Sequence, residues 1–267
     1  MDHSIFYKNH KIKKYFGQHF LIDNTTINSI VSIINPQFDQ KIVEIGPGFG
    51  ALTKYISKYV SSMTVIEIDE EITNYLLNNP FFYKKLNIIK GNAIKINYSN
   101  LAKKLGQKIR LIGNLPYNIS TSFLLHLFQD ISYIEDMHFV LQKELVKRLI
   151  ASPNSKDYGR ISIITQYFCS TQSMIEISPE LFKPIPKVSS MLIYLKPHIN
   201  QPYMVKNLSN LSMITRLTFS QRRKKIRNSL SKLFNIQQLE NMGINTNLRA
   251  ENLNIKLYCQ LANLLEL

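Results

Sequence analysis

Short runs of β-branched and aliphatic residues recur along the first 198 residues, and between the early ones the apolar side chains fall at helical spacing. The runs are KIVEI at 41–45, MTVIEI at 63–68, NIIK at 87–90, KIRLI at 108–112, MHFVL at 137–141, SMIEI at 173–177 and SMLIYL at 190–195. Each has the length of a strand, and the first ones are apolar almost throughout, as strands buried on both faces are. Ile27, Ile30, Val31 and Ile34 stand at i, i+3, i+4 and i+7 behind Asp23 or Asn24 as candidate N-cap. A second helix opens at Asp69, with Glu70 and Glu71 in its positively polarised first turn and Ile72, Tyr75 and Leu76 on one face. Strands alternating with helices predict an α/β fold with a mostly parallel sheet covered on both sides. A proline-containing loop, and no long amphipathic helix, separates the last two runs, which predicts an antiparallel pair at that edge. After residue 203 the apolar spacing is helical throughout.

Pro197 and Pro202 bracket a polar link, so two domains are expected: 1–198, α/β, and 199–267, small and all-helical. Charge separates them further. The chain carries a formal +15, and no acid occurs between Ile199 and Leu239, where Arg222, Arg223, Lys224, Lys225 and Arg227 cluster in SQRRKKIRNSL. Abundant Lys, Asn and Ile suit an AT-rich coding sequence, which would raise lysine without a functional reason, but that bias does not favour arginine. A basic cluster of this kind suggests a polyanionic partner. Lys11, Lys13 and Lys14 form a second run near the N-terminus. The two cysteines, Cys169 and Cys259, form no C-x-x-C pair, and the six His show no ligand spacing, so neither a disulfide framework nor a metal site is expected. The longest uncharged stretch, 111–129, is broken by Gly113, Asn114, Pro116 and Asn118, and the N-terminus lacks an apolar signal core. A cytoplasmic monomer away from the membrane is the expectation.

The first strand runs into Glu44-Ile45-Gly46-Pro47-Gly48-Phe49-Gly50-Ala51, a glycine turn opening a helix. Such a turn lets a ligand approach the backbone, although alone it also satisfies the dinucleotide fingerprint. The second strand ends in Glu67-Ile68-Asp69, where a carboxylate can accept from both ribose hydroxyls, so an adenosine-bearing cofactor without a ribose phosphate fits. NAD and S-adenosylmethionine both remain. Gly91-Asn92-Ala93, after the third strand, offers an amide to an adenine edge, or a plain turn.

The discriminating motif is Asn114-Leu115-Pro116-Tyr117 after the fourth strand. Adenine N6 is a poor nucleophile because its lone pair is delocalised into the ring. It becomes reactive when acceptors hold its hydrogens and draw the nitrogen toward tetrahedral geometry. The Asn114 side-chain carbonyl and the Leu115 backbone carbonyl can be those acceptors, with Pro116 fixing the turn and Tyr117 stacking on the base.

The order FGQHFL, EIGPGFGALT, VIEID, NLPYNIST, LQKELVKRL, FKPIPKVSS, QRRKKIRNSL and RAEN, spread over nearly the whole chain, closely resembles the small-subunit (16S) ribosomal RNA adenine-N6,N6 dimethyltransferases. The resemblance implies a Rossmann-like, S-adenosyl-L-methionine-dependent methyltransferase sheet with a helical RNA-binding domain. It implies that Gln18, His19 and Leu21 close over the cofactor, and that Gly46 and Gly48 line its methionine end. Glu67 would hold the ribose, with Ile68, Asn92, Ala93 and Asn114 completing the cofactor site. Asn114 to Tyr117 would hold the target adenine, and Phe182 would stack on its other face, although an aromatic beside prolines serves equally as a core plug. The basic runs would track phosphates of small-subunit rRNA in the assembling 30S particle, where two adjacent adenines near the 3′ end are dimethylated. Two residues depart from the family pattern: Asn92 where Asp is usual, and His19 where Asn is usual. Two alternatives share these motifs: a large-subunit rRNA adenine dimethyltransferase, and an assembly factor acting mainly by binding.

Overall fold

The computed structural model describes residues 6–8, 10–82 and 84–265, without the side chains of Phe6 and Lys14. All seven apolar runs are strands of one sheet: β1 Lys41–Ile45, β2 Met63–Glu67, β3 Leu86–Lys90, β4 Ile109–Asn114, β5 Ile134–Gln142, β6 Cys169–Ile177 and β7 Ser190–Pro197. Their order is β3-β2-β1-β4-β5-β7-β6. The first five neighbours pair in parallel, and β7 turns antiparallel against β5, with Ser190 opposite Gln142. Chain order therefore reverses direction between β1 and β4, and the crevice at the carboxyl ends of those strands is where an open α/β sheet takes ligands.

The local signals act as the sequence predicts. Asp23 caps the helix Asn24–Ile34 by accepting from Thr26 N–H at 2.7 Å, and Ile27, Ile30, Val31 and Ile34 are all buried. The far end of that helix is held by Arg110, whose Nη2 donates to the Ile34 carbonyl at 2.7 Å while its Nε pairs with buried Asp136 at 2.9 Å. A buried guanidinium is tolerable because its donors are used. Asp69 caps the helix Glu70–Asn78; Ile72 and Leu76 face the core, whereas Tyr75 turns partly outward, to the cavity at the strand ends.

The chain forms two compact units, one of residues 1–146 and 172–197, the other of 147–171 and 198–267. The second unit thus begins beside the expected boundary but also takes in 147–171, which the composition shift at Pro197 did not indicate. Hydrogen bonds explain the inclusion. Asn154 N–H donates to the Glu251 carbonyl at 2.8 Å, Asn252 Nδ2 to Asn154 Oδ1 at 2.8 Å, and Arg222 Nη2 to the carbonyls of Lys156 and Ser155 at 2.6 and 3.3 Å. Arg160–Phe168, Leu208–Ser220, Ile226–Ser229, Ile236–Asn241 and Ile255–Leu264 are its α-helices, packed around Leu211, Ile214, Leu230, Tyr258 and Leu261.

Candidate active site

The carboxyl ends of β1, β2 and β4, with the turn after β3, open onto a cavity of about 510 Å³ in the first unit, closed on another side by residues 15–22. Gly46 and Gly48, after β1, both lie in the left-handed region at φ +63° and +54°. At Gly48 a Cβ would also stand 2.9 Å from the Phe20 ring, so this position is closed to side chains twice over. Gly113 belongs to no sequence motif, yet it is as constrained: a Cβ there would lie 2.4 Å from the Ile45 carbonyl oxygen. Its bare backbone lets β4 approach β1 immediately before Asn114.

Glu67 is buried at the end of β2. Its carboxylate accepts from the N–H groups of Ile68 and Asp69, both at 2.9 Å, and from Gly48 N–H at 3.4 Å. Desolvation raises its pKa, and those three amides offset part of the rise. Three of about four acceptor positions are used, which leaves one for a hydroxyl in the cavity. Glu44, on β1, is a second carboxyl that sequence reasoning did not single out. Burial pushes it up to about 8, with the neighbouring Glu67 charge adding to the rise, so it is mostly neutral at pH 7. Thr53 donates to it at 2.6 Å. Ile68, 43% exposed, and buried Ala93 offer apolar surface to a ring in the cavity. Asn92 lines it as well, but its Oδ1 already accepts from Ile94 N–H at 3.0 Å, so only one lone pair and the NH₂ are left for a ligand.

The N-terminal arm is fastened over this site. Asp69, 1% exposed, receives Lys13 Nζ at 2.7 Å and Gln18 Nε2 at 2.9 Å, and His10 Nδ1 meets Glu71 at 2.7 Å. Although burial would raise Asp69, these donors hold its carboxyl below the usual range. Lys8 Nζ stands 5.4 to 5.8 Å from the rings of Tyr7, Phe49 and Tyr75. Lys13 is therefore not the free phosphate contact expected of it: it is spent on Asp69 and Glu71. Lys11 is exposed on the arm, and the Lys14 side chain lies outside the described residues.

At the end of β4, Asn114 Nδ2 donates to the His19 carbonyl at 2.7 Å. That bond fixes the amide with its oxygen unspent, and the Leu115 carbonyl is likewise without a partner among the described residues. Tyr117 is anchored through its hydroxyl to Ser190 Oγ at 2.7 Å, and burial raises its pKa, so it stays a neutral ring. The His19 imidazole stacks on it with centroids 5.4 Å apart and planes at 25°. His19 Nδ1 donates to the Pro184 carbonyl at 2.7 Å, since that oxygen can only accept. Leu21, 4% exposed, pairs with Phe182 in a two-stranded ladder beneath the cavity.

Phe182 corrects an expectation. It is 1% exposed, belongs to the cluster containing Ile27, Ile30 and Leu192, and does not line the cavity. With no free face it cannot stack on a ligand; it is the core plug. In the second unit, Arg222 is also diverted, paired with Glu251 at 2.6 Å as well as with the two carbonyls above. Arg223 and Lys224 are exposed with no side-chain partner among the described residues. Lys225 is exposed and donates to Asn247 at 3.0 Å, and Arg227 is half-buried.

Residues 9–267 match the family described as Ribosomal RNA adenine dimethylase. The chain belongs to the ribosomal RNA adenine dimethylase family. A relative from Baumannia cicadellinicola subsp. Homalodisca coagulata, named Ribosomal RNA small subunit methyltransferase A, is 50% identical over 98% of this chain and 97% of its own length. A protein of the same name from Blochmanniella pennsylvanica is 51% identical, covering 98% of both. Among solved structures, a dimethyladenosine transferase from Plasmodium falciparum superposes with TM-score 0.77 at 20% identity over 91% of this chain and 95% of that one. The 23S rRNA methyltransferase ErmE gives 0.70 at 20% identity over 92% and 99%. At such identity these two support the Rossmann-like α/β fold. Membership in the family decides between the cofactors the sequence left open: the methyl donor is S-adenosyl-L-methionine, and the enzyme is an rRNA adenine dimethyltransferase. The residues present fit that donor. Glu67 would keep an acceptor for its ribose, Ile68 and Ala93 would give its adenine an apolar bed, and Gly46 and Gly48, having no side chains, would leave room for its methionine end.

Proposed function

We propose that the enzyme transfers methyl groups to N6 of two adjacent adenines near the 3′ end of small-subunit rRNA, forming N6,N6-dimethyladenosine, and that it acts as a cytoplasmic monomer on the assembling 30S particle. The observation that carries the reading is the cavity-lining Asn114 amide, whose nitrogen is tied to the His19 carbonyl while its oxygen is left without a partner among the described residues. Bound in the cavity, S-adenosyl-L-methionine supplies an electrophilic methyl on a sulfonium, which departs as a neutral thioether. The chain's own residues prepare the nucleophile. Asn114 Oδ1 and the Leu115 carbonyl accept the two N6 hydrogens, which localises the lone pair on nitrogen and aims it. Tyr117, fixed by Ser190, offers its ring to the base. As N6 gains its methyl group it becomes cationic, and one of its two protons turns acidic and passes to solvent, so a strong general base is unnecessary. After the first transfer one hydrogen remains, and one acceptor suffices to orient the nitrogen again.

An adenine reaches such a pocket only from a single-stranded segment or after being flipped from its stack. Arg223, Lys224, Lys225 and Arg227 are the residues we assign to phosphates, whereas Arg222 and Lys13 serve the fold and the arm. Among the described residues no helix is long and apolar enough to cross a membrane. The test is to incubate the purified protein with S-adenosyl-L-methionine and small subunits lacking the dimethyl marks, then map modified nucleotides by mass spectrometry. Dimethyladenosine at two adjacent positions near the 3′ end is expected; binding without transfer would replace this reading with that of an assembly factor.

A further inference from the structure

The reaction accounts for a base inside the cavity but not for the aromatic ring at its mouth. Tyr15 lines the cavity, yet its side of the turn leaves it 69% exposed. Two other aromatics with more than half their surface exposed, Phe38 and Tyr59, do not line it. Tyr15 is also held in place. Residues Lys14–Phe16 form a 3₁₀ turn in which Phe16 N–H donates to the Lys13 carbonyl at 3.0 Å. The Phe16 ring backs the Tyr15 ring with centroids 4.2 Å apart at 52°. Asn118 Nδ2 donates to the Tyr15 carbonyl at 3.1 Å. Asn118 lies four residues beyond Asn114, in the loop that follows β4, so this bond registers the exposed ring to the proposed acceptors for N6. Gly17, at φ +64°, then turns the chain inward to Gln18 and His19.

We propose that Tyr15 is a stacking platform for the nucleotide next to the target adenine, a role that rests on the proposed rRNA target. Taking one base out of its stack exposes a face of its neighbour to water, and a preformed ring at the cavity mouth can cover that face without specifying its sequence. In the proposed substrate the neighbour is itself an adenine, with a full purine face to offer. A ring joined by its backbone to the catalytic loop would hold the strand in step while N6 is presented.

The test uses small subunits whose 3′ rRNA segment is ligated from synthetic RNA, with the neighbouring nucleotide natural, 2-aminopurine or abasic. Wild-type transfer and cofactor binding are measured first; their failure would sink the rRNA reading itself, not this proposal alone. With natural RNA, Tyr15→Ala should raise KM for the subunit roughly 5- to 150-fold, the ratio matching one lost base stack, with kcat and cofactor affinity within about threefold. Tyr15→Phe and Tyr15→Trp should stay near wild type, because stacking needs the ring and not the hydroxyl. On abasic subunits wild type and Tyr15→Ala should converge, and 2-aminopurine quenching on binding should vanish in Tyr15→Ala. A KM unchanged in Tyr15→Ala overturns the proposal. So does an equal loss on natural and abasic subunits, which would assign the ring to a backbone or protein contact.

Discussion

Gly113→Ala tests whether the close approach of β4 to β1 is what seats the Asn114 amide proposed to orient N6. The added Cβ would stand 2.4 Å from the Ile45 carbonyl oxygen, a backbone atom held in the sheet, so no side-chain rotation can relieve the clash. Ordinary contact requires the strands to part by roughly 1 Å, directly between Ile45, which leads into the glycine turn, and Asn114, which presents its amide oxygen. Overpacking of this kind costs about 1–3 kcal/mol, or roughly 2–12 °C in melting temperature for a chain of this size. Misplacing reacting groups by about 1 Å costs about 10²-fold in rate. We therefore expect kcat for methylation of unmodified subunits to fall about a hundredfold, well beyond what the lost stability explains at 25 °C. Cofactor affinity should weaken as well, because Gly46 follows Ile45. The assays are single-turnover methyl transfer, calorimetric titration with the cofactor, and thermal melting. Gly159→Ala is the control, since a Cβ there meets nothing within 4 Å and its backbone is extended. A Gly113→Ala enzyme with unchanged melting and kcat within twofold of wild type would refute the argument that this spacing positions Asn114.

Asn114→Ala removes one acceptor and the tie to the His19 carbonyl; kcat should drop about 10²- to 10³-fold while subunit binding persists, read by filter binding alongside transfer. Growth rescue by that variant in a strain lacking the enzyme would show that binding, not methylation, matters to the cell. Glu44, raised from its ordinary value to about 8, favours folding fully below about pH 4.5, and that contribution fades as pH rises through 8 and the carboxyl ionises in the fold. Glu44→Gln should thus gain on wild type in denaturant melts between pH 5 and 9, by on the order of a few kcal/mol at the alkaline end; a constant difference across that range would show the carboxyl is not neutral when buried. Arg222→Met should destabilise the protein by about 1–2 kcal/mol in the same melts, through its lost carbonyl bonds more than its half-exposed ion pair. Replacing Arg223 and Lys224 together by Ala should leave melting unchanged but reduce the slope of log affinity for subunits against log salt by about 0.7–0.9 for each phosphate no longer neutralised.

The sheet, its strands and both early helix caps are legible because their signals are local: β-branched runs, i, i+3, i+4, i+7 spacing, and an Asp before each helix. The cavity is legible for a related reason. Strand ends are set by the runs, and the residues at or just after the carboxyl ends of β1, β2, β3 and β4 lie along the same edge of the sheet beside the reversal in strand order, which brings Gly46, Glu67, Asn92 and Asn114 to one cavity. How long side chains spend their charges cannot be read in the same way. Lys13 and Arg222 look like their neighbours in the sequence, but a carboxylate 56 residues away claims one and Glu251 with two carbonyls claims the other. Phe182 likewise depends on a partner far off, since its pairing with Leu21 buries it and so denies it to a ligand. Basic runs therefore report the field a domain presents to a polyanion, which depends on the sum of charges, and fail for individual contacts, which depend on the acids the fold brings near. That difference has a consequence for His19. Its imidazole, bound to the Pro184 carbonyl and stacked on Tyr117, still leaves its own backbone carbonyl to orient Asn114, so the departure from the family's Asn alters the side chain while the bond that matters to the amide runs through the main chain.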